Sequence, residues 1–338
     1  MRPTTPLRLA ALPLLASLLT GCSKLVVLNP AGDVAAQQGD LVVIATVLML
    51  LIIVPVIALT LWFAWRYRQG SRHAETDYAP DWHHSTKLEL VIWAAPLVII
   101  IALGAITWIT THKLDPYRPL DRISEQKALP ENVKPLEVQV VSLDWKWLFV
   151  LPEQGIATVN ELAAPVDRPI RFTLTSSTTM NAFYVPDLAG MIYTMPGMQT
   201  ELNAVINQPG VFRGMSSHYS GAGFSGMNFR FHGLSEQDFE QWVARAKAEG
   251  QPLTRQAYLA LAKPSERHPV ERFSSVEAGL FDRVVGLCVE EGKTCMHQVM
   301  ALDASRNRAH RSARALEAAA AQEICSADDT LPTFTARP

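Results

Sequence analysis

Two long apolar runs stand out in the first third of the chain. Residues 41–65 contain no charged side chain, and residues 90–110 form a second apolar run. Because a helix needs about 20 apolar residues to cross a bilayer, each run is long enough to span one. Pro55 and Pro96 lie inside the runs, and membrane helices tolerate proline because neighbouring groups satisfy the freed backbone carbonyl. We therefore predict membrane helices over residues 41–65 and 88–110, joined by a loop over residues 66–87.

From residue 135 the pattern changes to short segments in which apolar side chains occupy alternate positions. Such alternation is typical of β-strands, and Pro-Gly, Pro-Glu and Asp-Arg-Pro sequences interrupt it as turns do. We interpret residues 135–234 as an antiparallel β-sandwich domain. The alternating positions are Val141, Leu143, Trp145, Trp147 and Phe149, then Ile170, Phe172 and Leu174, and later Leu202, Ala204 and Ile206.

The spacing changes again after residue 234. Phe239, Trp242, Val243 and Ala246 recur at intervals of three and four, which predicts an amphipathic helix. We assign residues 235–265 to a helical C-terminal extension. The tail over residues 266–338 has no pattern strong enough to predict a fold, and its order stays open.

The first 22 residues have the features of a bacterial secretory signal. Arg2 and Arg8 precede a short apolar core, and Leu19-Thr20-Gly21-Cys22 resembles a lipobox. We predict that residues 1–21 are removed as a lipoprotein signal peptide and that the Cys22 thiol is acylated, for example with palmitate. The alternative is an ordinary signal peptide with a chance cysteine.

This N-terminus sets the topology. If Cys22 lies outside, the first helix runs inward and the second returns outward. Arg66, Arg68, Arg72 and Lys87 then lie in the cytoplasmic loop, as the positive-inside tendency favours. Residues 22–40 become a periplasmic linker, residues 111–134 a second linker, and the sandwich lies in the periplasm of a bacterial inner membrane.

Composition and cysteine spacing narrow the function classes. The chain has 338 residues, 49% of them hydrophobic, and a formal net charge of -2, so no broad basic field indicates nucleic acid binding. The four cysteines include no CxxC pair. Cys288 and Cys295 flank a six-residue loop and are candidates for a disulfide in an oxidising periplasm. Metal capture by Cys295, Met296 and His297 is the alternative, and we assign no metal site.

The loop over residues 214–227, GMSSHYSGAGFSGM, interrupts the strand pattern with glycine and serine. It resembles the loop that carries a two-copper centre in subunit II of the haem-copper respiratory oxidases. In that family two cysteines four residues apart, a glutamate, two histidines and a methionine hold the copper pair. The corresponding residues here are Ser216 and Ser220, His218, Asn181 and Phe224, and Met227. Hydroxyl, amide and phenyl groups do not replace soft thiolate and imidazole ligands, so only Met227 remains of the degenerate two-copper site.

This combination resembles subunit II of a bo-type ubiquinol oxidase, and the resemblance covers roughly residues 22–239. It implies an α+β membrane protein, with two transmembrane helices, a periplasmic cupredoxin-like Greek-key β-barrel and a helical C-terminal extension. The complex would oxidise ubiquinol, reduce oxygen to water and pump protons. Its partners would be subunit I, the other oxidase subunits and membrane lipid. Haem and copper would reside in subunit I, with no cofactor in this chain, which alone would not be catalytic.

Glu89 is the candidate for proton entry. It lies seven residues before Pro96, where the family has a glutamate near the mouth of a proton channel formed mainly by subunit I. The alternative is structural, because Thr86 and Glu89 have the spacing of a helix capping box.

Other interpretations of the chain stay open. Asp144-Trp145-Lys146-Trp147 resembles the family's aromatic stretch for electron entry, but without copper we favour a core-filling role. One rival function is subunit II of a cytochrome c oxidase, which lacks support because the ligands are missing. Another is a membrane-anchored copper-binding lipoprotein. Its soft ligands would be Met191, Met195, Met198, Met215 and Met227.

Overall fold

The computed structural model describes residues 25–71, 73 and 81–327. Two long helices come first, α1 over Asp33–Arg66 and α2 over Thr86–Lys113. Both are long and apolar enough to cross a membrane, and most of their large apolar side chains are exposed. A helix surface of this kind requires lipid or a partner protein as its surroundings.

The first helix begins earlier than the sequence pattern indicates. Residues 33–40 are helical, so the predicted linker over 22–40 is wrong from Asp33 onward. The carboxylate of Asp33 accepts hydrogen bonds from Gln37 and Arg122, each 2.8 Å long. Gly32 lies so close to the β-domain that a Cβ atom there would be 2.5 Å from the Val205 carbonyl oxygen. The start of α1 is therefore anchored on the β-domain.

A short hairpin precedes the main β-domain, which consists of two facing sheets. In the first sheet the strand order is β10-β7-β3-β4-β5-β14-β13, and in the second it is β6-β12-β11-β8-β9. The hairpin strands are β1 Arg122–Ser124 and β2 Lys127–Ala128. The others are β3 Leu136–Leu143, β4 Lys146–Leu151, β5 Ile156–Val159, β6 Glu161–Pro165, β7 Pro169–Ser176, β8 Asn181–Tyr184, β9 Ile192–Thr194, β10 Thr200–Val205, β11 Gly210–Ser216, β12 Asn228–Leu234, β13 Gln251–Leu253 and β14 Glu271–Val276.

Strand direction departs from the antiparallel prediction at several pairs. β3 pairs with β7 in parallel, β12 pairs with β6 in parallel, and β13 pairs with β14 in parallel. These pairings join strands that are distant in the chain, and residue alternation carries no information about strand direction. The two-sheet sandwich itself is confirmed.

The alternation over residues 141–149 does not lie on one face. Asp144 and Trp145 form a two-residue turn, so Val141 lies opposite Leu148 on one face of the hairpin. Trp147 and Phe149 lie on the other face and enter the core between the sheets. Leu148 and Val150 pack instead against the C-terminal extension. The turn reverses the parity of the pattern, so the alternate apolar positions of residues 141–149 belong to two strands and contribute to two apolar cores.

Aromatic rings fill the core between the sheets. Phe183 stacks on Phe229 with ring centroids 5.4 Å apart, and Trp147 meets Phe183 edge-on at 5.5 Å. Trp147 and Phe183 are fully buried. This core positions the ends of β8, β11 and β12, where the candidate site lies.

The C-terminal extension packs on the β-domain as far as Val289. Its helices are α3 Glu236–Glu249, α4 Arg255–Leu261, α5 Leu280–Val285 and α6 Met296–Ala327. The predicted stripe of Phe239, Trp242, Val243 and Ala246 is buried, and Ser235 caps α3 by accepting a hydrogen bond from the Asp238 amide. β14 adds to the first sheet beside β5. β14 and α5 therefore belong to the folded part of the chain, in a region where the residue pattern predicts no fold.

Candidate functional site

Residues 214–216 end β11, and residues 217–227 form the loop between β11 and β12, at one end of the sandwich. Gly214 faces the ring of Phe229, and a Cβ atom there would be 2.0 Å from the ring. Gly223 lies against Trp145, and a Cβ atom would be 2.5 Å from the indole. The Trp145 indole N–H also donates to the Ser220 carbonyl at 2.8 Å. Glycine thus permits the loop to fold tightly over Trp145.

Asn181 and Ser216 meet beneath this loop. Asn181 begins β8, Ser216 ends β11, and both side chains are buried. The Ser216 hydroxyl lies 3.2 Å from Asn181 Oδ1 and 3.1 Å from the His218 carbonyl oxygen. Asn181 Nδ2 donates to the Thr179 carbonyl at 3.1 Å. Their hydrogen-bonding groups are therefore satisfied within the protein.

The remaining loop positions are divided between the interior and the surface. Met227 is buried, and its sulfur lies 4.0 Å from the Ser220 hydroxyl. The His218 ring packs edge-on against Tyr193, with centroids 5.9 Å apart. Phe224 packs against Tyr219 at 5.6 Å. His218 and Phe224, which stand at the family's glutamate and second histidine positions, are therefore packed against aromatic rings.

The donor atoms of this loop do not suit a copper pair. A bridged copper pair needs thiolates, and Ser216 and Ser220 provide only hydroxyls, which are neither soft nor readily ionised near neutral pH. Met227 supplies one thioether. In the parts of the chain that the structure describes, no group of three or more His, Cys, Asp or Glu residues could hold a metal ion.

Glu89 lies in the first turns of α2 on the side remote from the β-domain. Its carboxylate pairs with His84 at 2.8 Å, and both side chains are about half exposed. The helix N-cap is Ser85, whose side chain makes no capping hydrogen bond. Thr86 already lies inside the helix and instead contacts His84 at 3.1 Å. The Thr86–Glu89 capping box is therefore wrong, because the helix begins one residue earlier than that motif requires, with Ser85 rather than Thr86 at the N-cap.

The predicted cysteine sites differ in what can be described. Cys288 and Cys295 are joined by a disulfide that closes the turn between α5 and α6. Cys288 is buried beside the extension's core. Cys22 lies outside the described residues.

A buried ionic cluster that the sequence analysis did not anticipate joins the sandwich to the extension. Glu161, on β6, accepts two hydrogen bonds from Arg272 of β14 at 2.9 and 3.1 Å. Its other oxygen lies 3.3 Å from His232 Nε2. His232 beside this carboxylate, together with the hydrogen bonds from Arg272, lowers the pKa of Glu161 to about 2. Arg272 also pairs with Glu249 of α3 at 2.7 Å.

Lys146 forms a second buried connection that was not anticipated. Its ammonium donates to the Lys263 carbonyl at 2.8 Å, the Ser265 hydroxyl at 2.7 Å and the Asp144 carbonyl at 3.1 Å. Burial lowers the pKa of Lys146. The sequence signal for this buried lysine is its position between two tryptophans at a tight turn. A charged group among apolar neighbours needs hydrogen-bond partners from the protein.

Comparison with known proteins agrees with this geometry. Residues 140–232 match the family model described as the periplasmic domain of cytochrome c oxidase subunit II, and residues 247–292 match the COX aromatic-rich motif. Subunit 2 of the cytochrome bo(3) ubiquinol oxidase of Pseudomonas aeruginosa is 51% identical over 80% of this chain and 78% of its own length. Ubiquinol oxidase subunit 2 of Acetobacter aceti is 49% identical over 80% of this chain and 84% of its own length. The solved periplasmic domain of cytochrome oxidase subunit II of Bradyrhizobium japonicum is 23% identical, with a TM-score of 0.33 over 33% of this chain and 94% of that chain.

Two apolar helices followed by this type of periplasmic domain define the class, a membrane protein of the oxidase subunit II type. Within that class the chain belongs to the family of ubiquinol oxidase subunit 2. The family and fold predicted from residues 181–227 and the two apolar runs are therefore confirmed.

Proposed function

We propose that this chain is the copper-free subunit II of a proton-pumping ubiquinol oxidase in a bacterial inner membrane. The observation that carries the proposal is the contact between Asn181 and Ser216. Two positions that hold copper ligands in cytochrome c oxidases form a satisfied hydrogen-bonded pair instead. A soluble electron donor on the periplasmic side therefore has no metal relay through this domain.

Electrons would instead come from ubiquinol, which is dissolved in the bilayer and can reach subunit I directly. Haem and copper would reside in subunit I. The contribution of this chain would be structural, with α1 and α2 packed on subunit I and lipid and with the β-domain over its outer face. The exposed apolar side chains of both helices support such a partner.

Two further roles belong to the same proposal. Glu89, paired with His84 at the cytoplasmic end of α2, would assist proton uptake. An acylated Cys22 would add a lipid anchor on the periplasmic side. The position of Glu89 seven residues before Pro96 supports the first role, and the lipobox-like sequence supports the second.

The purified complex provides the test. We expect rapid oxidation of ubiquinol, no near-infrared band from a mixed-valence copper pair and one copper per complex. Rapid oxidation of reduced cytochrome c, or two further coppers in this chain, would contradict the proposal. Isolation of this chain with bound copper and without other subunits would favour the copper-binding lipoprotein.

A further inference from the structure

A small cavity with a mixed polar and apolar lining lies where the two membrane helices meet the β-domain. It has a volume of about 80 Å³ and is enclosed by the start of α1, by the segment that follows α2 and by the β8–β9 connection. Gln37 and Gln38 line it on α1, and Gly190 and Met191 line it on the β-domain. We call it the outer-mouth cavity, because it lies at the ends of α1 and α2 that face the β-domain.

The cavity lies at the depth of the lipid headgroups. Gln37 precedes the uncharged run that starts at Leu41 by four residues, which is about 6 Å along a helix. Lys113 follows Trp108 by five residues, or about 7 Å. The headgroup layer on each side of a bilayer is about 5–7 Å thick. Both walls of the cavity therefore lie in that layer on the periplasmic side.

Most of the charges around the cavity are already paired. Arg122 binds Asp33 at 2.8 Å, and Arg118 binds Asp121 at 3.0 Å. Lys113 is the exception among the basic groups of the cavity, because no ion pair involves it within residues 25–71 and 81–327.

One acidic group also remains available. The side chain of Asp115 accepts one hydrogen bond from the Tyr117 amide at 2.9 Å, and in the same described ranges it has no ion pair. Lys113 and Asp115 flank Leu114, which packs on the core and holds this segment in place. The cavity thus presents one available cation and one available anion side by side.

We propose that the outer-mouth cavity binds the headgroup of an ethanolamine phospholipid. The phosphate would contact Lys113 and the primary ammonium would donate hydrogen bonds to Asp115, so both charges would gain a partner. Ile109 lies four residues before Lys113 on the same face of α2 and is 63% exposed, which provides an apolar surface for an acyl chain. The site rests on the membrane orientation in the proposed function but not on the electron donor.

The proposed contacts with Lys113 and Asp115 also predict which lipids should bind poorly. A choline headgroup has no N–H to donate to Asp115. A glycerol headgroup has no cation. The negative charge of Asp115 would then lie beside the lipid phosphate with no positive group of the lipid to offset the repulsion. Selectivity for ethanolamine over both is therefore the specific consequence of the Lys113–Asp115 pair.

The test uses the assembled complex in nanodiscs that contain equal amounts of ethanolamine, choline and glycerol phospholipids, with retained lipids counted by native mass spectrometry. Lys113→Gln combined with Asp115→Asn should weaken retention of the ethanolamine lipid roughly tenfold or more, because two charge-assisted contacts are lost. The matched control is Lys263→Gln with Glu266→Gln, which removes the same charges from exposed positions outside the cavity. The control should retain the lipid as the unaltered chain does.

Three outcomes would overturn the proposal. They are equal retention of the ethanolamine lipid in both double variants, equal loss of all three lipids, and binding of choline lipid as tight as that of ethanolamine lipid before any substitution. If the double variant fails to assemble, Asp115→Asn alone keeps an acceptor for the Tyr117 amide and serves instead. It should reduce the ethanolamine lipid without reducing the glycerol lipid, and an unchanged ratio would contradict the site.

Discussion

The Ser216 hydroxyl lies 3.2 Å from Asn181 Oδ1 in the interior of the β-domain. The two residues come from different strands, β11 and β8, which pair at this end of the second sheet. In relatives that hold a copper pair, the two positions carry a thiolate and an imidazole. Here the same two strand positions are joined by a neutral hydrogen bond, so the scaffold persists although these two ligand positions carry a hydroxyl and an amide.

Because the scaffold persists, the copper site should be restorable. The five-site variant combines Ser216→Cys, Ser220→Cys, His218→Glu, Asn181→His and Phe224→His. With the native Met227, we expect the full chain of this variant to bind two coppers. The measurement is copper content together with the near-infrared band of a mixed-valence pair. The matched control keeps all changes except Cys at position 220, and it should lose that band because one bridging thiolate is missing. Absence of copper from a folded five-site variant would mean that the loop geometry is not that of the copper-bearing relatives.

Local patterns predicted the parts of the fold that depend on local sequence. The uncharged run of residues 41–65 and the three-and-four spacing of Phe239, Trp242 and Ala246 both correspond to the observed helices. The loop positions from Ser216 to Met227 could be aligned because their spacing is short and specific. None of these inferences required knowledge of a distant contact.

The errors arose where a distant contact decides the structure. The start of α1 is anchored on the β-domain through Asp33, which binds Arg122 at a distance of 89 positions in the chain. Strand β14 is joined to the sandwich by Arg272, which contacts Glu161 across 111 positions. Periodicity cannot register such pairs, since each partner alone resembles an ordinary solvent-exposed charge.

Glu89 should influence proton uptake if it serves the cytoplasmic mouth of a proton pathway. Glu89→Gln retains a polar side chain of the same size and removes the charge. We expect lower turnover and pumping in a fully assembled complex, measured by oxygen consumption and proton release in vesicles. The matched control is Asp81→Asn in the same loop, which should leave both rates unchanged. If oxygen consumption and proton release are also unchanged in Glu89→Gln, the carboxylate does not serve proton uptake. Its pair with His84 would then be its remaining role.

Cys22 should be the acylated N-terminus of the mature chain. Intact mass spectrometry should show that residues 1–21 are absent and that lipid mass has been added. Cys22→Ala should remain in the membrane, because two spanning helices hold a protein far more firmly than an acyl chain does. A chain that begins at Met1, or an unmodified Cys22, would refute the lipoprotein prediction.

The Cys288–Cys295 disulfide should stabilise the turn between α5 and α6. Replacing both cysteines with serine should lower stability by about 2–4 kcal/mol at most, because the bridge restricts the unfolded chain. The measurement is denaturant unfolding of the unaltered chain and of the double serine variant, both under oxidising conditions. The matched comparison is a separate sample of the unaltered chain with reductant. Peptide mapping that finds both thiols open to alkylation in the native, unreduced chain would show that the bridge does not form.

Glu161 should be the main ionic connection between the sandwich and the C-terminal extension. Glu161→Gln would remove the charge that Arg272 contacts on β6 and leave it paired with Glu249 alone, so we expect a loss of roughly 1.5–3 kcal/mol. The exposed Glu266→Gln is the matched control and should unfold like the unaltered chain. Loss of stability should be detected by thermal unfolding of the detergent-purified chain. Equal midpoints for both variants would assign the connection to Lys146 and the apolar contacts alone.

The same carboxylate gives the chain a defined acid sensitivity. His232 and Arg272, which lie beside the carboxylate of Glu161, lower its pKa from 4.5 to about 2. Since the folded pKa lies below the unfolded value, the unfolded chain binds more protons between these two pH values, and stability rises with pH there. The contribution of Glu161 is therefore complete above about pH 4.5 and is lost as the pH falls to about 2. Subtracting the unfolding free energy of Glu161→Gln from that of the unaltered chain should give a difference that shrinks over this window. A difference that stays constant from pH 6 to pH 2 would contradict the lowered pKa of Glu161.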